Sequence, residues 1–186
     1  MALTITSPTP LTVGNRRGVI ATIAFDSSYP TGGGEPLTAS DFGFVSTIDE
    51  VDVNDTSGYS FKYDIANSKL LAYTAFNTYT ATLDIASLAT DAIADNQVTV
   101  TGALTTDIVE VLPPHTLEAG IIIQQAWVSA TNTIQVRVSN TSAGTVDAAS
   151  GTFTFNLRNA SGALKQVKNA TDLSALTGVQ VFATGS

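Results

Sequence analysis

The stretch SYPTGGGEPL, residues 28–37, contains three consecutive glycines. Glycine-rich loops can hold phosphates through backbone N–H groups, but the phosphate-binding loop also needs Gly-Lys-Ser or Gly-Lys-Thr at its end. Glu35 and Pro36 follow the glycines here, and no lysine lies near them. Proline fixes the backbone on entry and exit, which favours an ordered loop over a flexible tether. We therefore predict a loop that contacts another protein or subunit, formed by Tyr29, Pro30, Gly32, Gly33, Gly34 and Glu35.

Acidic and imidazole side chains give no catalytic pattern. The run DEVDVNDTSG, residues 49–58, gathers oxygen ligands that suit calcium, but it lacks the EF-hand spacing, and a solvated turn is the better interpretation. Two carboxylates could serve a glycosidase, yet nothing marks any pair among the sixteen acids. His115 is the only histidine, and we interpret it as a surface loop residue after Pro113 and Pro114. We expect no enzyme activity, no cofactor and no metal site.

Two further features could form contacts. Trp127 lies in GIIIQQAWVSA, where both alternating faces of a strand would be apolar. A strand buried on both sides explains this, and so does a subunit contact, in which tryptophan is enriched; the buried position is favoured. Arg16 and Arg17 form the only adjacent basic pair and could hold an N-terminal arm on an acidic neighbour, although a solvated pair is the default.

Composition narrows the class of partner. The net charge is -8, so attraction to nucleic acid through clustered lysine and arginine is not expected. Cysteine is absent, which excludes disulfides and thiolate chemistry. Only 13% of residues are charged, which predicts a polar but largely neutral surface. We find no signal-peptide pattern and no apolar run of ~18 residues, so we expect a soluble chain without a membrane partner.

The elements that position these residues are strands. Apolar residues alternate with polar ones through Val19–Phe25, Tyr59–Tyr63, Ile134–Val138 and Phe153–Leu157, which predicts an all-β chain. Asn67 and Ser68 predict the turn of a hairpin. EPLTASDF and TDLSAL are predicted as helices of one or two turns, the second with Asp172 as its N-cap, whereas TDAIADN is predicted as a loop.

The strand near the C-terminus, Val179–Ala183, is predicted to complete the N-terminal unit, which would otherwise keep an exposed apolar edge. This gives a discontinuous β base with an N-terminal arm, formed by residues 1–80 and 160–186. A β-sandwich or barrel, residues 81–159, is inserted into it.

Two parts of the sequence resemble proteins of tailed bacteriophages. SYPTGGGEPLTASDFGF, GYSFKYDIANSKLLAY and TDLSALTGVQVFATGS together resemble a module that recurs in phage structural proteins, where the third stretch follows the second closely. The intervening LPPHTLEAGIIIQQAWVSATNTIQVRVSNTSAGTVDAASGTFTF resembles a second β module of virion proteins. The separation of the second and third stretches agrees with an insertion.

The resemblance implies a capsid decoration, or cement, protein. Such proteins are non-enzymatic, are commonly homotrimers, and bind the major capsid protein at capsomer junctions on the outer surface of the phage head. The chain would be made in the cytoplasm of the bacterial host and would stabilise the shell through repeated contacts.

A host-recognition module on a tail or head fibre is the alternative. Such a module would bind glycans through exposed aromatic residues and Asn-rich loops, and it requires Trp127 to be exposed.

Overall fold

The computed structural model describes residues 3–30, 32–114 and 117–186. These residues form fourteen strands, numbered β1 to β14 in chain order, and a one-turn 3-10 helix at Ala39–Phe42 is the only helical element among them. The prediction of an all-β chain is confirmed. His115 lies outside the described residues, so its assignment to a surface loop stays a prediction.

The chain divides into two compact units. Unit 1 comprises Met1–Ala75 and Lys165–Ser186, and unit 2 comprises Phe76–Leu164. The boundaries predicted from the sequence were residues 80 and 160. The assignment of a discontinuous β base with an inserted domain stays a prediction.

The first sheet of unit 1 has four antiparallel strands in the order β1-β2-β14-β4. Residues from the two ends of the chain therefore alternate in one sheet, and β14 is an interior strand hydrogen-bonded on both sides. The strands are β1 (Thr4–Val13), β2 (Arg16–Ala24), β4 (Ile48–Val53) and β14 (Val179–Gly185).

The second sheet of unit 1 is built around β6 (Lys69–Thr74). One edge of β6 pairs with β5 (Tyr59–Asp64), and the other edge pairs with two short strands, β3 (Glu35–Pro36) and β13 (Lys165–Gln166). The β5-β6 hairpin confirms the predicted turn, which Asp64 closes by accepting hydrogen bonds from the backbone N–H groups of Ala66 and Asn67.

One hydrophobic core fills unit 1. Alternation places Val19, Ala21 and Ile23 of β2 on the buried face of the first sheet, and the loops between strands add aromatic side chains. Burial of apolar surface at about 25 cal/mol per Å² is the main stabilising contribution here. The largest fully buried side chains in this core are Ile23, Tyr29, Leu37, Leu70 and Leu173.

Unit 2 is a sandwich of two three-stranded sheets around a second core. The orders are β10-β11-β8 and β7-β12-β9, with antiparallel neighbours. The strands are β7 (Asn77–Leu83), β8 (Ile93–Thr99), β9 (Asp107–Leu112), β10 (Ile121–Ala130), β11 (Thr133–Asn140) and β12 (Gly151–Asn159). Both sheets contribute to the core through the alternating residues predicted from the sequence: Ile134, Val136, Val138, Phe153, Phe155 and Leu157.

Three segments differ from their predictions. The predicted loop TDAIADN is wrong after Asp91, because Ile93 begins β8 and pairs with β11. TDLSAL forms a turn and not a helix, since the Asp172 carboxylate accepts hydrogen bonds from both the N–H and the hydroxyl of Ser174. Most of the predicted N-terminal arm is strand β1, because its backbone pairs with β2.

We predict that residues 76–164 fold when expressed alone, because they contain a complete sandwich and core. Trp127, the only tryptophan, lies in this unit and reports its unfolding. Urea denaturation followed by Trp127 emission should give one cooperative transition. A fragment without a cooperative transition or a β-type circular dichroism spectrum would contradict independent folding.

Candidate functional site

The SYPTGGGEPL loop is anchored inside unit 1. Tyr29 is 1% exposed, and its hydroxyl accepts hydrogen bonds from the Ala72 N–H (3.0 Å) and from Gln166 Nε2 (3.3 Å). Its backbone N–H donates to the Thr171 carbonyl, and its carbonyl accepts from the Ala170 N–H, each at 2.9 Å. The loop therefore docks on β6 and on the segment that leads to β14.

The three glycines share a left-handed backbone conformation, and Gly33 and Gly34 also leave no room for a side chain. All three have positive φ, at 90°, 73° and 86° for Gly32, Gly33 and Gly34. A Cβ at Gly34 would lie 2.6 Å from Leu71 Cδ2 and 2.9 Å from Lys69 Cβ, whereas a Cβ at Gly32 would meet nothing within 4 Å. Gly34 thus allows the backbone of the loop to approach β6 closely.

Glu35 is a buried carboxyl at the end of this loop. It is 1% exposed, and its Oε2 has no hydrogen-bond partner among the described residues. Burial, with a further contribution from the nearby charge of Asp26, raises the pKa of Glu35 to about 7. Glu35 is therefore largely protonated at mildly acidic pH.

The positions of these residues bear on the predicted contact loop. Tyr29, Gly34 and Glu35 are buried in unit 1, which leaves them little surface to offer a partner. Pro30 and Gly33 are partly exposed and Gly32 is exposed, and their predicted contact role remains a prediction. The sequence showed that the loop is ordered but not that it packs on its own chain.

The arginine pair makes contacts within unit 1. Arg16 Nη1 lies 3.3 Å from Asp49 Oδ2, with 63% of the Arg16 side chain exposed, so this ion pair contributes little stability. Arg17 Nη1 donates a hydrogen bond to the Gly43 carbonyl at 3.1 Å. Because most of its side chain is exposed, Arg16 remains accessible to a partner protein.

An apolar patch lies on the outer face of the first sheet, opposite the core. The register aligns Thr9, Ile20, Phe182 and Asp52 in one row across the sheet, and Leu11, Gly18, Thr184 and Glu50 in the next. Leu11 is 39% exposed and Val13 and Ile20 are each 42% exposed, while Phe182 is partly buried. We call Leu11, Val13, Ile20 and Phe182 the outer patch.

Gly18 lies at the centre of the outer patch and lets its members approach one another. A Cβ on Gly18 would lie 2.9 Å from Val13 Cγ2 and 3.4 Å from Phe182 Cε2. Without a side chain at this position, the apolar groups of β1 and β14 lie on both sides of β2. The patch is therefore continuous across three strands, of which β14 is far from β1 and β2 in sequence.

The edge strands of the first sheet favour binding of a partner protein to the outer patch over addition of a strand at an edge. Asp49, Glu50 and Asp52 place charges along β4 at one edge of the sheet. Pro8 and Pro10 lie in β1 at the other edge, where proline withholds N–H donors from an incoming strand. Strand addition is disfavoured at both edges, and an apolar centre with a polar rim is the usual composition of a protein interface.

Trp127 lies on the outer face of the β10-β11-β8 sheet of unit 2, so its predicted burial in the core is wrong. The register of β10 shifts between Ile123 and Gln125, where a bulge adds one residue. Beyond the bulge, Ala126 and Val128 face the core and Trp127 faces outward, partly buried. Strict alternation along the sequence could not show this inserted residue.

Comparisons with protein-family models, curated proteins and solved structures give no match for this chain. In the part of the chain that the structure describes, no three or more His, Asp or Glu side chains are grouped as metal ligands would be. Among the same residues, no helix is long and apolar enough to cross a membrane.

Gly34→Ala should destabilise the protein by about 2–4 kcal/mol, because it combines a strained positive φ with overpacking against β6. Gly32→Ala is the matched control, since it has a similar φ but open space, and should cost only about 1–2 kcal/mol. Chemical denaturation of both variants measures the difference. Equal losses would contradict the close packing of Gly34.

The raised pKa of Glu35 predicts a pH dependence of stability. An unfolded chain releases this proton near pH 4.5 and the folded chain only near pH 7, so the contribution of Glu35 to the free energy of unfolding is greatest below about pH 4.5 and is lost as the pH rises to 7. The loss is at most roughly 3 kcal/mol. Glu35→Gln cannot titrate and should abolish this part of the slope, as measured by urea denaturation from pH 4.5 to 8.

Glu50→Gln is the control, because Glu50 is an exposed glutamate of the same unit. It should retain the wild-type slope between pH 4.5 and 7. If Glu35→Gln retains that slope as well, Glu35 is not the group that titrates.

Proposed function

We propose that this chain is a non-enzymatic virion structural protein of a tailed bacteriophage, namely a capsid decoration protein. It binds the major capsid protein at capsomer junctions on the outer surface of the head and stabilises the shell. Its working form is a homotrimer. The resemblance of SYPTGGGEPLTASDFGF and the related stretches to phage structural modules supports this assignment, and so does the all-β architecture.

The outer patch of unit 1 is the observation that carries the proposal. The outer face of the first sheet exposes apolar surface from Leu11, Val13 and Ile20. These side chains do not belong to the core of unit 1, because that core lies on the opposite face of the sheet. Apolar side chains that cross a rigid sheet match the buried centre of a protein interface. Asp49, Glu50 and Asp52 supply an acidic rim, so the complementary surface on the capsid is apolar with basic or polar margins.

A trimer converts a small patch into a stable attachment. Four apolar side chains form less contact than a stable interface of about 1,600 Å² requires. Three copies held together bind with a high effective concentration after the first contact, so the total affinity exceeds that of one patch. Repeated contacts across capsomer junctions oppose their separation, and this reinforcement needs no chemical step.

Ile20→Asp should weaken binding to phage heads that lack this protein by at least about a hundredfold, because it places an unpaired charge in the centre of an apolar contact. Val45→Asp is the matched control: Val45 is 88% exposed in the same unit and lies outside the outer patch. Co-sedimentation with purified heads measures binding, and circular dichroism checks that both variants are folded.

Cryo-electron microscopy of intact particles locates the protein directly. The expected result is outward density at three-fold or quasi-three-fold positions, with the outer patch facing the capsid. Density confined to the tail or fibres would contradict the head assignment. Equal binding by Ile20→Asp and wild type would exclude the outer patch as the contact.

A further inference from the structure

The outer face of the β10-β11-β8 sheet in unit 2 carries ordered rows of planar polar side chains. The strand register aligns Gln125, Arg137 and Asp95 in one row and Trp127, Gln135 and Gln97 in the next. Gln135 Nε2 donates to Gln97 Oε1 at 3.3 Å. We call these six residues the Trp127 face. The Trp127 face lies on the side of this sheet that is opposite the core of unit 2.

Arg137 holds the indole ring of Trp127 in place. The guanidinium carbon lies 5.3 Å from the ring centroid, in cation–π geometry. The same guanidinium makes two hydrogen bonds to Asp95, at 2.7 and 2.8 Å. These bonds lower the pKa of Asp95, so the pair stays ionised at neutral pH. Arg137 is thus fixed between a carboxylate and an aromatic ring.

A shelf of small hydroxyl residues lies along the strands on the side of Trp127 away from Arg137. Thr133 pairs with Thr99 in the row beyond Gln135 and Gln97, and Ser129 is exposed two residues after Trp127. Arg137 lies over the indole ring, and the register places the shelf in the row on the other side of Trp127. The row that adjoins Trp127 on that side therefore carries short side chains.

The charge of the Trp127 face indicates the chemistry of its ligand. Among its described residues it has one cation and one anion, and these neutralise each other in a bidentate pair. An anionic ligand would have to compete with Asp95 for Arg137. The remaining polar groups of the face are the carboxamides of its glutamines, and the shelf adds hydroxyls. Both kinds of group donate and accept hydrogen bonds without a net charge.

We propose that the Trp127 face binds a neutral saccharide chain. A sugar ring has an apolar C–H face that stacks on the exposed side of Trp127, over the shelf formed by Ser129, Thr133 and Thr99. Its hydroxyl groups hydrogen-bond to Gln97, Gln135 and the outer edge of the Arg137–Asp95 pair. The Trp127 ring has few rotamers to lose, and Arg137 is already held by Asp95, so ordering these two side chains on binding costs little entropy.

This inference does not depend on the proposed attachment to the capsid, which uses unit 1. A decoration protein with a saccharide-binding face would hold the particle near glycans on a cell surface, where many weak contacts act together. Capsid binding and saccharide binding are therefore measured with different variants, and either can fail alone.

An array of neutral glycans probed with the intact protein tests the inference, and the glycan with the strongest signal is then titrated by calorimetry. Because Trp127 is the only tryptophan, its emission and its single indole N–H resonance report this site alone. Both signals should change on titration with the same dissociation constant as the calorimetric one. Absence of binding to every neutral glycan overturns the proposal.

Two variants and one control locate the binding site. Trp127→Ala should weaken binding by about tenfold or more, since loss of one stacking contact costs of the order of 1.4 kcal/mol. Thr133→Arg should weaken it similarly by filling the shelf while it keeps the Trp127–Arg137 contact. Phe76→Ala is the control, because Phe76 is 50% exposed outside the Trp127 face, and it should bind as wild type.

The remaining outcomes overturn the proposal. Wild-type binding by Thr133→Arg, or loss of binding in Phe76→Ala alone, would place the saccharide elsewhere. Loss of head binding in Trp127→Ala, with no saccharide binding by wild type, would make the face a protein contact. Binding confined to sulfated or sialylated glycans would contradict a neutral ligand.

Discussion

The structure of unit 1 depends on the insertion of β14 between β2 and β4. This strand contributes Val179, Val181 and Ala183 to the core of unit 1, and each of them is at most 1% exposed. Without β14, both neighbouring strands would have an unpaired edge, and the buried face of the sheet would be open. Because unit 2 separates β14 from its partners in sequence, this pairing requires closure of a long loop. The entropic cost of closure grows only slowly with loop length, which is why such an insertion is tolerated.

The SYPTGGGEPL loop depends on the same long-range closure. Tyr29 bonds to Thr171 and Gln166, and Gly33 leaves the space that the Gln166 side chain occupies. The loop therefore recognises the returning C-terminal segment of its own chain. Buried Glu35 adds a stability cost at neutral pH, and the close packing around it has to offset that cost.

Alternation in the sequence predicted the all-β class, the β5-β6 hairpin and the core faces of β11 and β12 because each depends on local periodicity. The pairing of Val179–Ala183 with the N-terminal unit is also predicted, because an exposed apolar edge needs a partner strand, whereas other features set by contacts between distant residues are not predictable. The bulge before Gln125 reverses the orientation of Trp127, and nothing in GIIIQQAWVSA marks the inserted residue. The burial of Glu35 also depends on neighbours distant in sequence, since β3 pairs with β6. The sequence does not predict the outer patch, for two reasons. Leu11 and Val13 fall in the predicted N-terminal arm, and the fourth member, Phe182, lies near the other end of the chain.

Assembly of the outer patch from Leu11, Val13, Ile20 and Phe182 has a consequence for synthesis on the ribosome. The first three residues emerge early, but the surface that they form with Phe182 exists only after β14 has left the exit tunnel. A nascent or prematurely terminated chain can contain the whole of unit 2 and still lack this surface. The complete patch therefore forms only in chains that contain residue 182, and a product truncated before it lacks both Phe182 and the pairing of β14 with β2.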